Sequence, residues 1–293
     1  MAPITRVGLV AKTRLEEAAG VLAELAGWLE ARGIQPVFET ETAALVGLPA
    51  GRPTSPRDAL PRACDLVVVL GGDGTLIGMA GRIANSGADT PILGVNFGSL
   101  GFLTEITLPE LYISLDAVLA GTAGIDQRMM LRSRTLRRGE ICTDRLALND
   151  VVITKGALSR IIDLSVSIGD QHVMRVRADG LIIASPTGST AYNLAAGGPI
   201  MHPSMDALLL TPIAPHMLTN RPIVMPADSE VRIQPAMADH DEVFVTIDGQ
   251  SGHPLEPGDV ISVIRAQRQL RLVRAPTRTY FDVLRQKLKW SER

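Results

Sequence analysis

The apolar run Val7 to Ala11 is followed by Leu15, Ala18, Ala19, Leu22, Leu25, Ala26 and Leu29, which return at helical spacing until Gly33 ends the series. This predicts one strand–helix unit. Gln35 to Phe38 predicts a second strand, and Leu48 to Pro61, with Pro49, Gly51, Pro53, Pro56 and Pro61, reads as a connecting loop. Leu66 to Leu70 is unbroken apolar sequence ending on glycines, the pattern of a strand covered on both faces in a parallel sheet. A helix is predicted from Leu76, a strand over Ile92 to Val95 and a helix over Leu108 to Leu119. Such alternation defines an α/β domain.

After Gly124 the pattern changes. Thr135 to Leu136, Val151 to Thr154, Ile162 to Ile168, Val173 to Arg177, Leu181 to Ile183, Val231 to Ile233, Val243 to Ile247 and Val260 to Ile264 are strand-like runs separated by turn residues. Helices are predicted only near Ser189 and from Tyr280, where Phe281, Leu284 and Leu288 share a face. The expected organisation is an α/β domain over 1–124 and a β-rich domain over 125–275, with 276–293 a candidate to pack back on the first. A length of 293 residues favours two cores over one.

Composition narrows the partners. A net charge of −2 from 29 basic and 31 acidic residues provides no electrostatic footprint for nucleic acid or an anionic membrane, so any phosphate must be held locally. No apolar run approaches membrane-spanning length and the start lacks a signal-peptide pattern, so a cytoplasmic, membrane-free protein is the expectation. Cys64 and Cys142 have no partner at metal or redox spacing and read as reduced, buried thiols. His172, His202, His216, His240 and His253 never fall at zinc-binding spacing, so no protein-built metal site is expected. A metal would arrive with a nucleotide.

The strongest chemical signal is Gly71-Gly72-Asp73-Gly74-Thr75, between the buried strand and a helix. Ligands of open parallel sheets bind beyond the carboxyl ends of the strands, where a helix start offers free N–H groups to phosphate. The three glycines allow close backbone approach. No Walker lysine motif is present, and Gly72, Gly74 and Gly78 fit the dinucleotide fingerprint only loosely. An acidic side chain inside a phosphate loop must face a hydroxyl or a cation, which points to phosphoryl transfer. With a hydroxyl, Asp73 orients or deprotonates the nucleophile; with a cation, it helps hold Mg²⁺.

Asn149 can read an adenine edge and Asp150 can accept from a ribose diol, although the pair also fits an Asx turn before a strand. Asp179 suits a carboxamide N–H₂ or the closing of a hairpin. Ser185 to Tyr192, including Thr187, Ser189, Thr190 and Ala191, reads as a polar turn into a helix that Ser189 or Thr190 can cap, with amides free for a ligand. Tyr192 and Phe102 suit either a flat ring or core packing, and His216 and Arg221 either a phosphate or a surface contact.

The glycine–aspartate loop resembles the GGDGT motif shared by NAD kinases, diacylglycerol-type lipid kinases and, in variant form, phosphofructokinases. Leu148-Asn149-Asp150 and the stretch from Asp179-Gly180-Leu181 through Ser185-Pro186-Thr187-Gly188-Ser189-Thr190-Ala191-Tyr192 to Gly197-Gly198-Pro199 resemble the further signatures of NAD kinases. Asn96 to Leu103, Ala214-Pro215-His216 and Arg221-Pro222 also fit, so the likeness covers nearly the whole chain. It implies an α/β, Rossmann-like parallel-sheet domain, a β-rich carboxy-terminal domain and an active site in a cleft between them. It further implies ATP with a divalent cation such as Mg²⁺, NAD as substrate, and a homodimer or homotetramer. Asp73 is then the residue at the phosphorylated 2′-hydroxyl, with Gly71, Gly72, Gly74 and Thr75 around it. Asn149, Asp150, Asp179, Ala191 and Tyr192 occupy NAD-contacting positions, and Arg177 a position linked to preference for NAD over NADH. Position 150 is Asp where many relatives have Glu, which shortens the carboxylate's reach. The alternatives are a lipid kinase, which Asn149-Asp150 does not explain, and a non-catalytic NAD(P) sensor, against which Asp73 argues.

Overall fold

The computed structural model describes residues 3–47, 51–156, 161–217, 219–238 and 241–290, so Leu48, Pro49 and His240 lie outside the described residues. The chain divides into two compact units, 1–127 with 270–293, and 128–269.

The first unit is built on β1 (Arg6–Ala11), α1 (Ala18–Glu30), β2 (Gln35–Glu39), α2 (Thr40–Val46), β3 (Thr54–Ser55), α3 (Leu60–Ala63), β4 (Leu66–Gly71), α4 (Asp73–Ser86), β5 (Ile92–Asn96), β6 (Ile106–Thr107) and α5 (Leu111–Leu119). The strands run parallel in the order β3-β2-β1-β4-β5, with β6 beside β5. All six residues of β4 are buried, as its unbroken apolar run requires. α1 buries Ala18, Leu22, Leu25, Ala26 and Leu29, and the turn beyond it uses Gly33 at φ 75°.

Two local expectations need correction. The stretch before β4 is not all loop: among its described residues, β3 adds to the sheet and α3 carries Pro61 in its first turn, where a missing N–H costs nothing. α2 was not predicted; it is short, and the buried Glu39 carboxylate caps it by accepting from the Thr42 N–H at 2.8 Å. α4 starts at Asp73 and not Leu76. Glycine is a poor helix former, so apolar spacing begins only at Leu76, but the Gly72 carbonyl already accepts from the N–H groups of Thr75 and Leu76 at 3.0 and 3.3 Å.

The second unit contains β7 (Ile125–Arg137), β8 (Glu140–Ala147), β9 (Asp150–Lys155), β10 (Ile162–Ile168), β11 (Gln171–Ala178), β12 (Gly180–Ala184), a 3₁₀ turn (Thr187–Thr190), α6 (Tyr192–Ala195), β13 (Ala207–Ile213), β14 (Ile223–Pro226), β15 (Val231–Ala236), β16 (Val243–Ile247), β17 (Ser251–Pro254) and β18 (Val260–Val273). One antiparallel sheet runs β14-β13-β12-β9-β16-β17, and β11-β10-β15-β18 forms another antiparallel run. Their facing side chains make one core, with Val151, Ile153, Leu181 and Ile183 from the first set meeting Leu164, Val166, Ile233 and Val263 from the second. Four strands escaped the sequence reading. β8 is polar because it pairs only with β7, and its Asp144 holds Arg132 at 2.6 Å. β13 carries Pro212, tolerated because β14 pairs only with Ala207–Leu210. The outward position of β8 also exposes Cys142, correcting the expectation of two buried thiols; burial pushes the Cys64 thiol up to about 12.

The end of β18 returns to the first unit, where Leu272 pairs with Ile92 in parallel register, and α7 (Tyr280–Leu288) follows with a Thr279/Asp282 capping box. Among the described residues no helix is long and apolar enough to cross a membrane.

Candidate active site

In the first unit the chain leaves β4 through Gly71 and Gly72 and enters α4 at Asp73. The three glycines have different reasons. A Cβ on Gly71 would lie 2.9 Å from Thr75 Oγ1 and 3.2 Å from Lys12 Cβ, so packing forbids a side chain there. A Cβ on Gly72 or Gly74 would meet nothing within 4 Å. Their smallness leaves open space in front of the helix start, where N–H groups await an acceptor.

The Asp73 carboxylate turns to the segment after β5. Oδ2 accepts from Phe102 N–H at 2.8 Å; Oδ1 accepts from the N–H groups of Leu103 and Thr104 at 3.1 and 2.9 Å and from Thr104 Oγ1 at 2.9 Å. Gly101 makes this possible, because a Cβ there would lie 2.0 Å from Asp73 Oδ1. Asn96 fixes the same loop by donating to Ser99 O at 2.8 Å and Thr104 Oγ1 at 3.2 Å. A carboxylate offers about four lone-pair directions, and with three donors on Oδ1 it is Oδ2 that retains room for a hydroxyl or a cation. Phe102, read as a ring for stacking or core, is half-buried, supplies its backbone N–H, and has Lys287 Nζ 5.6 Å from its ring centroid.

In the second unit Asn149 and Asp150 are buried at the start of β9. Their backbone is organised by Asp248, which sequence reading missed: its carboxylate accepts from the N–H groups of Leu148, Asn149 and Asp150 at 2.8, 2.7 and 3.1 Å. Asp248 stands at φ 52° before Gly249, so the letters alone read as a hairpin turn. Burial raises its carboxyl despite those three donors. Asp150 is 4 % exposed, and among the described residues no donor reaches its carboxylate; burial first, and then the Asp248 charge, push it up to about 7. A buried carboxylate with spare lone pairs is poised for a hydroxyl donor.

The segment after β12 locks onto this corner. Ser185 N–H donates to Asn149 O at 2.8 Å, its hydroxyl to Leu148 O at 2.5 Å, and Gly188 leaves no room for a Cβ, which would sit 2.1 Å from Asn149 O. Ser189 does not cap a helix: it lies within the 3₁₀ turn, and its hydroxyl donates to Met201 O at 3.2 Å and accepts from Met201 N–H at 2.9 Å. Thr190 does not cap α6 either, donating instead to Thr187 O at 3.4 Å; Ala191 holds the cap position. Thr187 Oγ1 is buried with no hydrogen-bond partner. Tyr192 is exposed, which rules out its core alternative. The buried Asn193, another residue missed from sequence, braces the turn by accepting from Thr211 Oγ1 at 2.7 Å and donating to Ser189 O at 3.0 Å.

Asp179 and Arg177 fall elsewhere in this unit. The β9–β12 register sets Ala184 against Asp150 but Gly180 against Thr154, so Asp179 lies at the opposite end of the strand pair, about 16–17 Å along at the usual rise per residue. There it meets Lys155 Nζ at 3.8 Å, while Arg177 is exposed and its carbonyl accepts from His216 N–H at 2.8 Å. His216 and Arg221 are both exposed. Among the described residues no group of three His, Cys, Asp or Glu side chains is arranged to hold a metal.

A strand–glycine loop–helix unit with an embedded aspartate, followed by a β-rich unit with a buried carboxylate corner, defines a phosphotransferase class. The chain matches the ATP-NAD kinase N-terminal domain over residues 7–123 and the ATP-NAD kinase C-terminal domain over residues 148–275. It is 49% identical over 288 residues to the NAD kinase of Geotalea daltonii and 48% identical over 288 residues to that of Syntrophotalea carbinolica, in each case covering 98% of this chain and 99% of the relative. Among solved structures, yeast NADH kinase complexed with NADH superposes with a TM-score of 0.88 at 26% identity, covering 100% of this chain and 90% of that one. An NAD kinase from Archaeoglobus fulgidus in complex with ATP shares the fold, with a TM-score of 0.74 at 22% identity, covering 96% of this chain and 99% of that one. The chain belongs to the NAD kinase family and is a kinase. These relatives support neither the lipid-kinase nor the sensor alternative.

Proposed function

We propose that this chain transfers the γ-phosphoryl group of ATP to the 2′-hydroxyl of the adenosine ribose of NAD, giving NADP, with Asp73 as the catalytic residue at that hydroxyl. The observation that carries the assignment is Asp73 itself: a carboxylate at the start of α4, fixed by four donors from the 102–104 segment with Oδ2 left room to accept. The phosphates of ATP meet the loop of Gly71, Gly72, Gly74 and Thr75, where the open space before Gly72 and Gly74 admits them to the helix start. The ribose hydroxyl donates to Asp73 and is set in line with the γ-phosphorus, so the rate comes mainly from alignment.

Asn149 and Asp150 take the adenosine, the amide on the base edge and the buried carboxylate on a ribose diol. Thr187, with its unpartnered hydroxyl, and the backbone of Ser189, Thr190 and Ala191 contact NAD beside them, and Tyr192 offers a ring face. Asp179 and Arg177 reach the far portion of the dinucleotide; contact with both Asp150 and Asp179 spans the β9–β12 pair, as an extended ligand can. Mg²⁺ arrives with the nucleotide in this reading, and Asp73 is the carboxylate of the loop that could meet it. When bound it neutralises phosphate charge. The reading includes a cytoplasmic protein acting as a homodimer or homotetramer.

The test is turnover: purified protein with NAD, ATP and Mg²⁺, with product followed by a dehydrogenase specific for NADP. NADP formation at tens per second or below is expected for a kinase of this kind. Tight NAD binding without product overturns the assignment.

A further inference from the structure

The glycine loop poses an electrostatic problem. ATP brings several negative charges to a motif whose only charged side chain, Asp73, is itself negative. Helix-end N–H groups supply partial charges, so a full cation is needed nearby. Most basic side chains of the first unit already hold a carboxylate: Arg57 has Glu39 at 3.2 Å, Arg82 has Asp58 at 3.0 Å and Arg278 has Glu110 at 2.7 Å. Lys287 lies over the Phe102 ring.

Lys12 is different. It follows β1 directly, and its N–H donates to Leu70 O at 2.9 Å, extending the β1–β4 ladder one step to set Lys12 beside Gly71. A Cβ on Gly71 would lie 3.2 Å from Lys12 Cβ, so the two residues are side by side. The side chain is exposed, lines a hollow of about 200 Å³ with Thr13, Arg14 and Glu41, and makes no ion pair among the described residues. Gly71 is therefore constrained twice, by Thr75 and by the lysine stem, and the root of the Lys12 side chain stands beside the phosphate loop.

We propose that Lys12 binds the donor phosphates, contacting the terminal phosphates of ATP in front of α4 and supplying the positive charge that the glycine motif lacks. The proposal rests on reading that loop as the donor site. A charge-assisted hydrogen bond to phosphate is worth roughly 1.5–3 kcal/mol, which is about 10- to 150-fold in affinity.

Wild-type turnover of NAD with ATP is measured first; its absence overturns the functional reading and the Lys12 role with it. Calorimetric titration with ATP, and separately with AMP, then compares wild type with Lys12→Ala, Lys12→Arg and Arg52→Ala. Arg52 pairs with Glu30 at 2.7 Å and its loss changes net charge by the same amount. The expected result is a 10- to 150-fold loss of ATP affinity and a matching rise in KM for ATP in Lys12→Ala, with AMP binding moved less than threefold, partial recovery in Lys12→Arg, no loss in Arg52→Ala, and unchanged melting. An active wild type with Lys12→Ala retaining normal ATP affinity, or Arg52→Ala losing as much, overturns the Lys12 role alone.

Discussion

Replacing Asp150 by Asn separates the stability of the second unit from its use of NAD. The native carboxyl is raised from 3.8 to about 7, so the folded protein prefers it protonated. Between the two values the native state binds more protons than the unfolded chain, and stability falls as pH rises from about 4 to about 7, then levels off. Three units correspond to ~4 kcal/mol at most, and because Asp248 shares the titration the expected loss is ~1–4 kcal/mol. Asparagine cannot ionise and is nearly isosteric. Asp150→Asn is therefore as stable as the wild type near pH 4 and ~1–4 kcal/mol more stable at pH 8. Urea denaturation followed by far-ultraviolet circular dichroism between pH 4 and pH 9 measures this, while KM for NAD rises because one of the two acceptor oxygens facing the ribose diol becomes an N–H₂ donor. An offset independent of pH, or a variant less stable at pH 8, refutes the reasoning.

Asp73→Asn is expected to lower kcat by about 10²–10⁴-fold and to cost ~1–3 kcal/mol of stability, because an amide N–H₂ would face the backbone donors that now meet a carboxylate. Steady-state rates and thermal melting check both; full activity removes Asp73 from the chemistry. Gly101→Ala places a methyl 2.0 Å from Asp73 Oδ1, so the 101–104 segment must shift at ~1–3 kcal/mol and kcat falls with it; normal melting and activity would contradict that geometry. Thr187→Val fills the same volume without the unpartnered hydroxyl, so stability should hold or rise while KM for NAD increases; an unchanged KM would make Thr187 a bystander.

What the sequence reveals depends on how local the signal is. β4 and the loop after it were legible because an unbroken apolar run followed by glycines has one good structural solution. The start of α4 was misplaced because glycines hide the helix that the Gly72 carbonyl begins. The Asn149-Asp150 corner was visible, but its brace was not: Asp248 lies 98 residues from Asp150, and only the fold brings them together. Asn193 was silent for the same reason, its partners being an exposed-looking serine turn and the Thr211 hydroxyl of β13. Ser189 misled because serine is both a common cap and a good two-way hydrogen bonder, and burial against Met201 decided between the roles. Lys12 belongs to no glycine motif and stands out only once β1 is laid beside β4.

The most direct test of the account is a crystal structure of the protein with NAD bound. The account predicts the 2′-hydroxyl of the adenosine ribose within about 3.2 Å of Asp73 Oδ2, in hydrogen-bond reach. A dinucleotide bound with that hydroxyl remote from Asp73, in a protein that still makes NADP, would contradict it.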